Sequence, residues 1–191
     1  ELELIVANGL RFFCIYQEKQ RANDDFGNTN GQAAAKAAVE TAKYLGVPDG
    51  AVIYFAVDYD AIDTEITSFI IPYFQGIKAY GNNNPHGYRI GIYGARNICS
   101  RVAEAGLSSS SFVGDMSTGY SGNLGFPIPQ DWAFDQFATT YLKVDYPYYL
   151  RIEIDKNALS GSYLGESTPN DISVDPPEQG APYIAPPPVA K

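Results

Sequence analysis

A single histidine, two cysteines and the absence of any long apolar run limit what this 191-residue chain can do before any motif is read. His86 lies in the turn-like stretch NNNPHG, so neither a histidine-based metal site nor a Ser-His-Asp triad has a candidate. Cys14 and Cys99 have no metal or redox spacing and are expected as free, buried thiols. Neither a GxGxxG motif nor a P-loop occurs, which removes dinucleotide and nucleotide roles. No EF-hand spacing is present, so no metal and no cofactor is expected, although a site built only of carboxylates for Ca²⁺ or Mg²⁺ stays open. Basic residues are also scarce: 13 Lys and Arg face 22 Asp and Glu, a net charge of −9 that argues against nucleic acid or an anionic membrane surface as partner. No segment approaches the roughly 20 apolar residues that insertion into a bilayer requires. The chain opens without an initiating methionine or a signal-peptide pattern, which is expected of a fragment or a processed product.

What the chain does have is a high content of aromatics, with 15 Tyr and 10 Phe, and one pivotal stretch, AVIYFAVDYDA from Ala51 to Ala61. Val52 to Val57 is a continuous run of β-branched, aromatic and small apolar residues, the pattern of a strand buried on both faces. Alternation puts Tyr54, Ala56, Asp58 and Asp60 on one side and Ile53, Phe55 and Val57 on the other. Two carboxylates therefore fall side by side where the strand ends, at the end where α/β folds place their chemistry. The plainer alternative is that both are loop acids leading into a helix capped by Asp63.

The remaining elements alternate. The segment Glu1 to Asn8 reads as the end of a helix, Leu10 to Tyr16 as a strand and Gln17 to Asn30 as a loop. An alanine-rich helix follows, with a capping-box spacing at Thr29–Gln32, and then comes the pivotal strand. The helix after Asp63 contains Pro72 and is expected to kink there. Tyr88–Gly94, Ser111–Met116, Trp132–Ala138 and Leu150–Asn157 read as strands, with a helix between the first two and a Gly/Pro-rich loop, Ser117–Asp131, before the third. About six strands alternating with helices call for parallel β/α units. The pattern fits either an open sheet or a (β/α) barrel lacking its first two units. Residues 160–191 carry seven of the 13 prolines and no periodic apolar face, and are expected to form a disordered linker or tail.

The alternation rule gathers further acids. In LRIEID, Leu150, Ile152 and Ile154 would pack under helices, while Arg151, Glu153 and Asp155 would face inward. Asp115 and Asp135 also lie at or near the carboxyl ends of strands. Crowded carboxylates cannot all ionise freely, and a carboxyl with a raised pKa is what a general acid needs. Paired acids flanking a sugar linkage are the machinery of glycoside hydrolysis. Tyr16, Tyr54, Tyr93 and Trp132 could offer flat surfaces to sugar rings, although any one aromatic is more often core than platform.

The run IYFAVDYDA, the helix with IIPYFQG, the strand-loop IGIYG, the segment DMSTGYSGNLGFP with WAFDQFA, and the closing IEIDKN together resemble the bacterial glycoside-hydrolase-like barrel domain, a distant relative of the family-25 lysozymes that cleave peptidoglycan. The resemblance covers residues 1–159. It implies an α/β fold of the TIM-like barrel type that begins in the helix before its third strand, with the missing N-terminal barrel segment supplied in cis or by a separate chain. It also implies a secreted or cell-wall-associated setting and a peptidoglycan-like polysaccharide as substrate or ligand. By position, Asp58 and Asp60 match the acid-x-acid pair of that family, with Asp60 in place of the usual glutamate proton donor. Asp155 matches the acid of the closing strand, and Asp135 with Gln136 matches the polar position of the seventh strand. The expected catalytic set is therefore Asp58, Asp60 and Asp155. The expected substrate-binding set is Tyr16, Tyr54, Tyr93, Asp115, Trp132, Asp135, Gln136 and Glu153. A glycan-binding module that has lost the chemistry is the alternative.

Overall fold

The computed structural model describes residues 2–81, 83, 85–123, 125–144, 150–163 and 165–166. Six strands form one sheet in the order β1 (Cys14–Tyr16), β2 (Val52–Ala56), β3 (Arg89–Gly94), β4 (Ser110–Val113), β5 (Trp132–Val144) and β6 (Leu150–Leu159). The first five run parallel, while β6 returns antiparallel to β5 along a long ladder from Phe134↔Leu159 to Val144↔Leu150. This corrects the TIM-like barrel: the sheet is curled, mixed and open, a half-barrel whose last two strands form a hairpin rather than another parallel unit.

Helices cover the convex side. After the short α1 (Leu2–Ala7), α2 (Asn28–Tyr44), the continuous run of α3 (Asp63–Glu65), the π turn Ile66–Ile70 and α4 (Ile71–Gly81), and α5 (Arg96–Glu104) pack on Ile53, Phe55, Val57 and Ile92 to form the larger core. α2 and α4 approach closely enough that a Cβ on Gly31 would lie 1.9 Å from the Tyr73 carbonyl oxygen, and one on Gly76 2.1 Å from that of Asn28. The irregularity expected at Pro72 takes the form of the π turn immediately before it, where the backbone accommodates a residue with no N–H to donate. Asp63 is not the cap but the first helical residue; the Ile62 N–H is held by Glu65 Oε2 at 3.0 Å. The expected capping box at Thr29 is also displaced, since α2 begins at Asn28 after Gly27, whose φ of 103° turns the chain into the helix.

A second, smaller cluster fills the concave side: Val52, Tyr54, Phe112, Ala133 and Phe134, with Phe13, Tyr93 and Tyr163 against them. Phe13 precedes β1, yet its ring stacks on Phe134 of β5 with centroids 4.3 Å apart. Contact between strands that are four places apart in the sheet order requires strong curvature. Gly91 of β3 permits it, because a Cβ there would lie 2.4 Å from the Tyr54 ring. Residues following β6 then cross the amino-terminal end of the curl. The Ser160 N–H donates to the Ala133 carbonyl, Tyr163 packs beneath Arg89 and Tyr54, and Glu166 exchanges two backbone hydrogen bonds with Phe12 at 2.7 and 3.1 Å. The folded body thus continues through Glu166, while residues 167–191 of the expected tail lie outside the described residues.

Beyond the body, β5 and β6 continue as a two-stranded arm. Leu142, Leu150 and Ile152 share one face of it and are about half exposed, so they do not pack under helices as their alternation suggested.

Candidate functional site

The carboxyl ends of the parallel strands open on one side of the curl, and the acidic residues collect there. Asp58 follows β2, fixed by its N–H on the Gln20 carbonyl at 2.9 Å. Its Oδ2 accepts a hydrogen bond from Gln17 Nε2 at 2.9 Å and lies 3.5 Å from Arg21 Nε. Asp60 is presented differently. Its Oδ1 accepts hydrogen bonds from both the N–H and the hydroxyl of Ser121, each at 2.7 Å, tying the Gly/Pro-rich loop to the end of β2.

Between these acids and the hairpin stands Tyr93 of β3. Its hydroxyl donates to Gln136 Oε1 at 2.8 Å, and Gln136 Nε2 donates to Asp155 Oδ2 at 2.7 Å, with Thr139 Oγ1 on the other Asp155 oxygen at 2.9 Å. Burial, then the charges of Asp58 and Asp155, push the Tyr93 phenol up to about 12. Tyr120, in the loop after β4, has its phenol raised by burial and then by Asp58 and Asp60. Asp58, Asp60 and Asp155 therefore surround one pair of tyrosines.

A second group of charges lies beside the first. Arg96, the first residue of α5, grips Asp115 with two nitrogens, Nε to Oδ1 at 2.7 Å and Nη2 to Oδ2, and its Nη1 donates to the Phe126 carbonyl. Asp135 of β5 pairs in register with Val113 and so reaches the same height, next to Asp115. Desolvation first, then Asp115, raise the Asp135 pKa above the ordinary carboxylate range, with Arg96 opposing; its Oδ1 is buried without a hydrogen-bond partner among the described residues. Asn123 anchors the same loop through its Oδ1 to the Arg96 N–H and its Nδ2 to the carbonyls of Gly114 and Ser117.

Of the residues anticipated from sequence, the structure gathers Asp58, Asp60, Tyr93, Asp115, Asp135, Gln136 and Asp155 around this mouth. It places four elsewhere. Tyr54 is fully buried in the concave cluster, its hydroxyl 2.7 Å from Ser110 Oγ, and its phenol is pushed up to about 12, mainly by burial. Tyr16 lies on the helix side, tilted against Phe55. Trp132 begins β5, about 10 Å below Asp135 at the rise of an extended strand. Glu153 stands exposed on the arm opposite Tyr141, and Arg151 covers the Tyr141 ring at 3.5 Å instead of facing inward. Gln17, Arg21, Arg96, Ser121 and Asn123 were not anticipated. Only Arg96 left a trace in the sequence, a cation in the first turn of a helix, where the macrodipole disfavours it unless an acid is near.

His86 lies at the opposite end of the strands, its Nδ1 2.9 Å from Asp49 Oδ1. Among the described residues no group of three or more His, Cys, Asp or Glu is arranged to hold a metal ion, and no helix is long and apolar enough to cross a membrane.

The fold is similar to that of the Tat-secreted protein Rv2525c of Mycobacterium tuberculosis. Against its HEPES complex the TM-score is 0.65 at 18% identity, covering 86% of this chain and 74% of that one; against its L-tartrate complex it is 0.60 at 19%, covering 80% and 69%. In sequence the chain is 46% identical to YbfG of Bacillus subtilis (strain 168) over 178 residues and 44% identical to FadG of the same organism over 173. These matches take in 91% and 90% of this chain but only 24% and 30% of those proteins. The family model that matches residues 1–166 is that of the Rv2525c-like, glycoside hydrolase-like domain, and this chain belongs to that family.

Proposed function

We propose that the mouth of the curl takes up a segment of peptidoglycan or a related amino-sugar polymer and that its carboxylates hydrolyse the glycosidic linkage. The observation that carries this reading is the convergence of Asp58, Asp60 and Asp155 on Tyr93 and Tyr120. Carboxylates on both sides of a phenol-lined opening are the arrangement that acid/base cleavage of a sugar bond calls for. In this reading Asp60, held toward the opening by Ser121, is the proton donor. Asp58, fixed by Gln17 and Arg21, is its base or electrostatic partner, and Asp155, Asp115 and Asp135 orient the sugar. Secretion of Rv2525c supports an extracytoplasmic setting for this domain as well.

A second reading, glycan binding without chemistry, is favoured by one feature: both Asp58 and Asp60 already accept hydrogen bonds from neighbouring side chains, which suits a fixed acceptor better than a mobile acid. The two readings separate on incubation of the chain with purified peptidoglycan. New reducing ends from the native protein, falling at least about 100-fold in Asp60→Asn, are expected for hydrolysis. Retention on the polymer without release in either protein would establish the binding reading instead, and equal release by both would remove Asp60 from the mechanism.

A further inference from the structure

β6 ends the sheet. It is ten residues long, and among the described residues no strand lies against its outer edge. Edge strands are ordinarily kept short, bulged or broken by proline, because a row of unpaired N–H and C=O groups is a template for another strand. β6 uses none of these devices: its sequence, LRIEIDKNAL, has no proline, and the one irregularity in its ladder, between Gln136 and Ala138, lies on β5. On the arm it also presents aliphatic side chains to solvent, Leu150 at 50% and Ile152 at 48% exposure.

The order of charges along this edge selects the strand that fits it. Arg151, Glu153 and Asp155 lie on one face, and Leu150, Ile152 and Ile154 on the other. A second β6 running antiparallel keeps polar against polar and apolar against apolar only where the pair is centred on a residue that faces its own copy. Of the registers centred on residues 151–154, Arg151 at the centre opposes two arginines, Glu153 two glutamates, and Ile154 brings Glu153 against Asp155 on both sides. Ile152 at the centre does the opposite. Arg151 then faces Glu153 of the second copy, Leu150 faces its Ile154, and Ile152 faces Ile152, with every charge opposed by its complement. In the single chain Arg151 rests over the ring of Tyr141, which is itself exposed, so the guanidinium can turn to a carboxylate across the edge.

We infer that the outer edge of β6 is an interface for a second copy of this chain, whose own β6 pairs antiparallel about Ile152 and joins the two arms into one four-stranded sheet. The two-fold axis of such a pair stands perpendicular to the sheet. The faces that carry Thr139 and Asp155 therefore lie on the same side in both copies, and the two mouths open in the same direction. The interface does not depend on hydrolysis at either mouth.

Sedimentation equilibrium of the whole chain over a concentration series is expected to show a reversible monomer–dimer equilibrium. Arg151→Glu, which sets glutamate against glutamate on both sides of the axis, should raise the dimer Kd at least about tenfold. Combining it with Glu153→Arg restores opposite charges in exchanged places and should bring the Kd back to within about threefold of the native value. Ile152→Cys should give a disulfide-linked dimer on mild oxidation, since facing residues of an antiparallel pair have Cα atoms about 4.5–5.5 Å apart, within disulfide reach. Glu153→Cys, displaced from its own copy by two positions, should give no more than the background that the native Cys14 sets. A monomer at every concentration, the result if another segment of the chain covers the edge, would overturn the inference. So would a double variant as weak as Arg151→Glu alone, or equal cross-linking at positions 152 and 153.

Discussion

Arg96 opens a helix at the end where a positive charge is least favourable, and Asp115, with Asp135 behind it, is what makes it tolerable. The consequence for Asp135 can be measured. Its pKa in the folded protein is raised above that of the unfolded chain, so its contribution to stability is complete below the ordinary carboxylate range and is lost as pH rises through the raised value. Asp135→Asn, which removes the charge but keeps the shape, is expected to be more stable than the native protein at pH 7. The difference should have largely disappeared at about pH 3, below the ordinary Asp value of about 3.9, where the carboxyl is protonated in both states. Urea midpoints of both proteins at the two pH values check this, and equal midpoints of variant and native at pH 7 would refute it. At this scale the acids of the mouth were legible because strand alternation assigns a side to every residue, as it did for Tyr54 and Asp58. Their partners were not: Gln17, Arg21 and Ser121 sit on loops, where no period relates position to direction.

Helices and strands tell a similar story one level up. The expected α2 and α4 are present because each combines good helix formers with a buried stripe, but their mutual approach rests on Gly31 and Gly76, which a periodicity argument passes over as weak points. Replacing Gly76 by alanine would drive a methyl group to within 2.1 Å of the Asn28 carbonyl oxygen, and backbone cannot turn away as a flexible side chain can. Overpacking of this kind costs about 2 kcal/mol. A melting temperature lower by about 4–8 °C is expected for a chain of this length, measured by circular dichroism. β6 shows where pattern reading stops. Its side chains alternate between two faces, yet alternation is the same for parallel and antiparallel partners, so nothing in LRIEID could reveal that the strand runs back along β5. The barrel expectation failed on that point. With β6 carried out on an arm, Leu150 and Ile152 lie in the open instead of under a helix.

For the molecule as a whole, curvature is the organising property. The concave cluster draws Phe13, Tyr54, Phe112 and Phe134 into edge-to-face and stacked contacts, and Tyr163 is the piece contributed from beyond the last strand. Composition made residues 160–166 look like the start of a tail, since a proline-rich neighbourhood hides one aromatic anchor and one reciprocal backbone pair. Tyr163→Ala should therefore destabilise the whole domain by about 2–3 kcal/mol, at or below the low end for a fully buried aromatic because the side chain is not completely buried. It should also open the chain near Ser160 to limited proteolysis. An unchanged urea midpoint would mean that this crossing is incidental to the fold.

That crossing has one more consequence. Because Phe12 and Glu166 share a reciprocal backbone pair, the lead-in to the first strand and the segment after the last are clasped together at the amino-terminal end of the curl. A force applied to either segment is therefore borne by both before the open sheet can part, and the acidic opening lies at the end remote from that clasp.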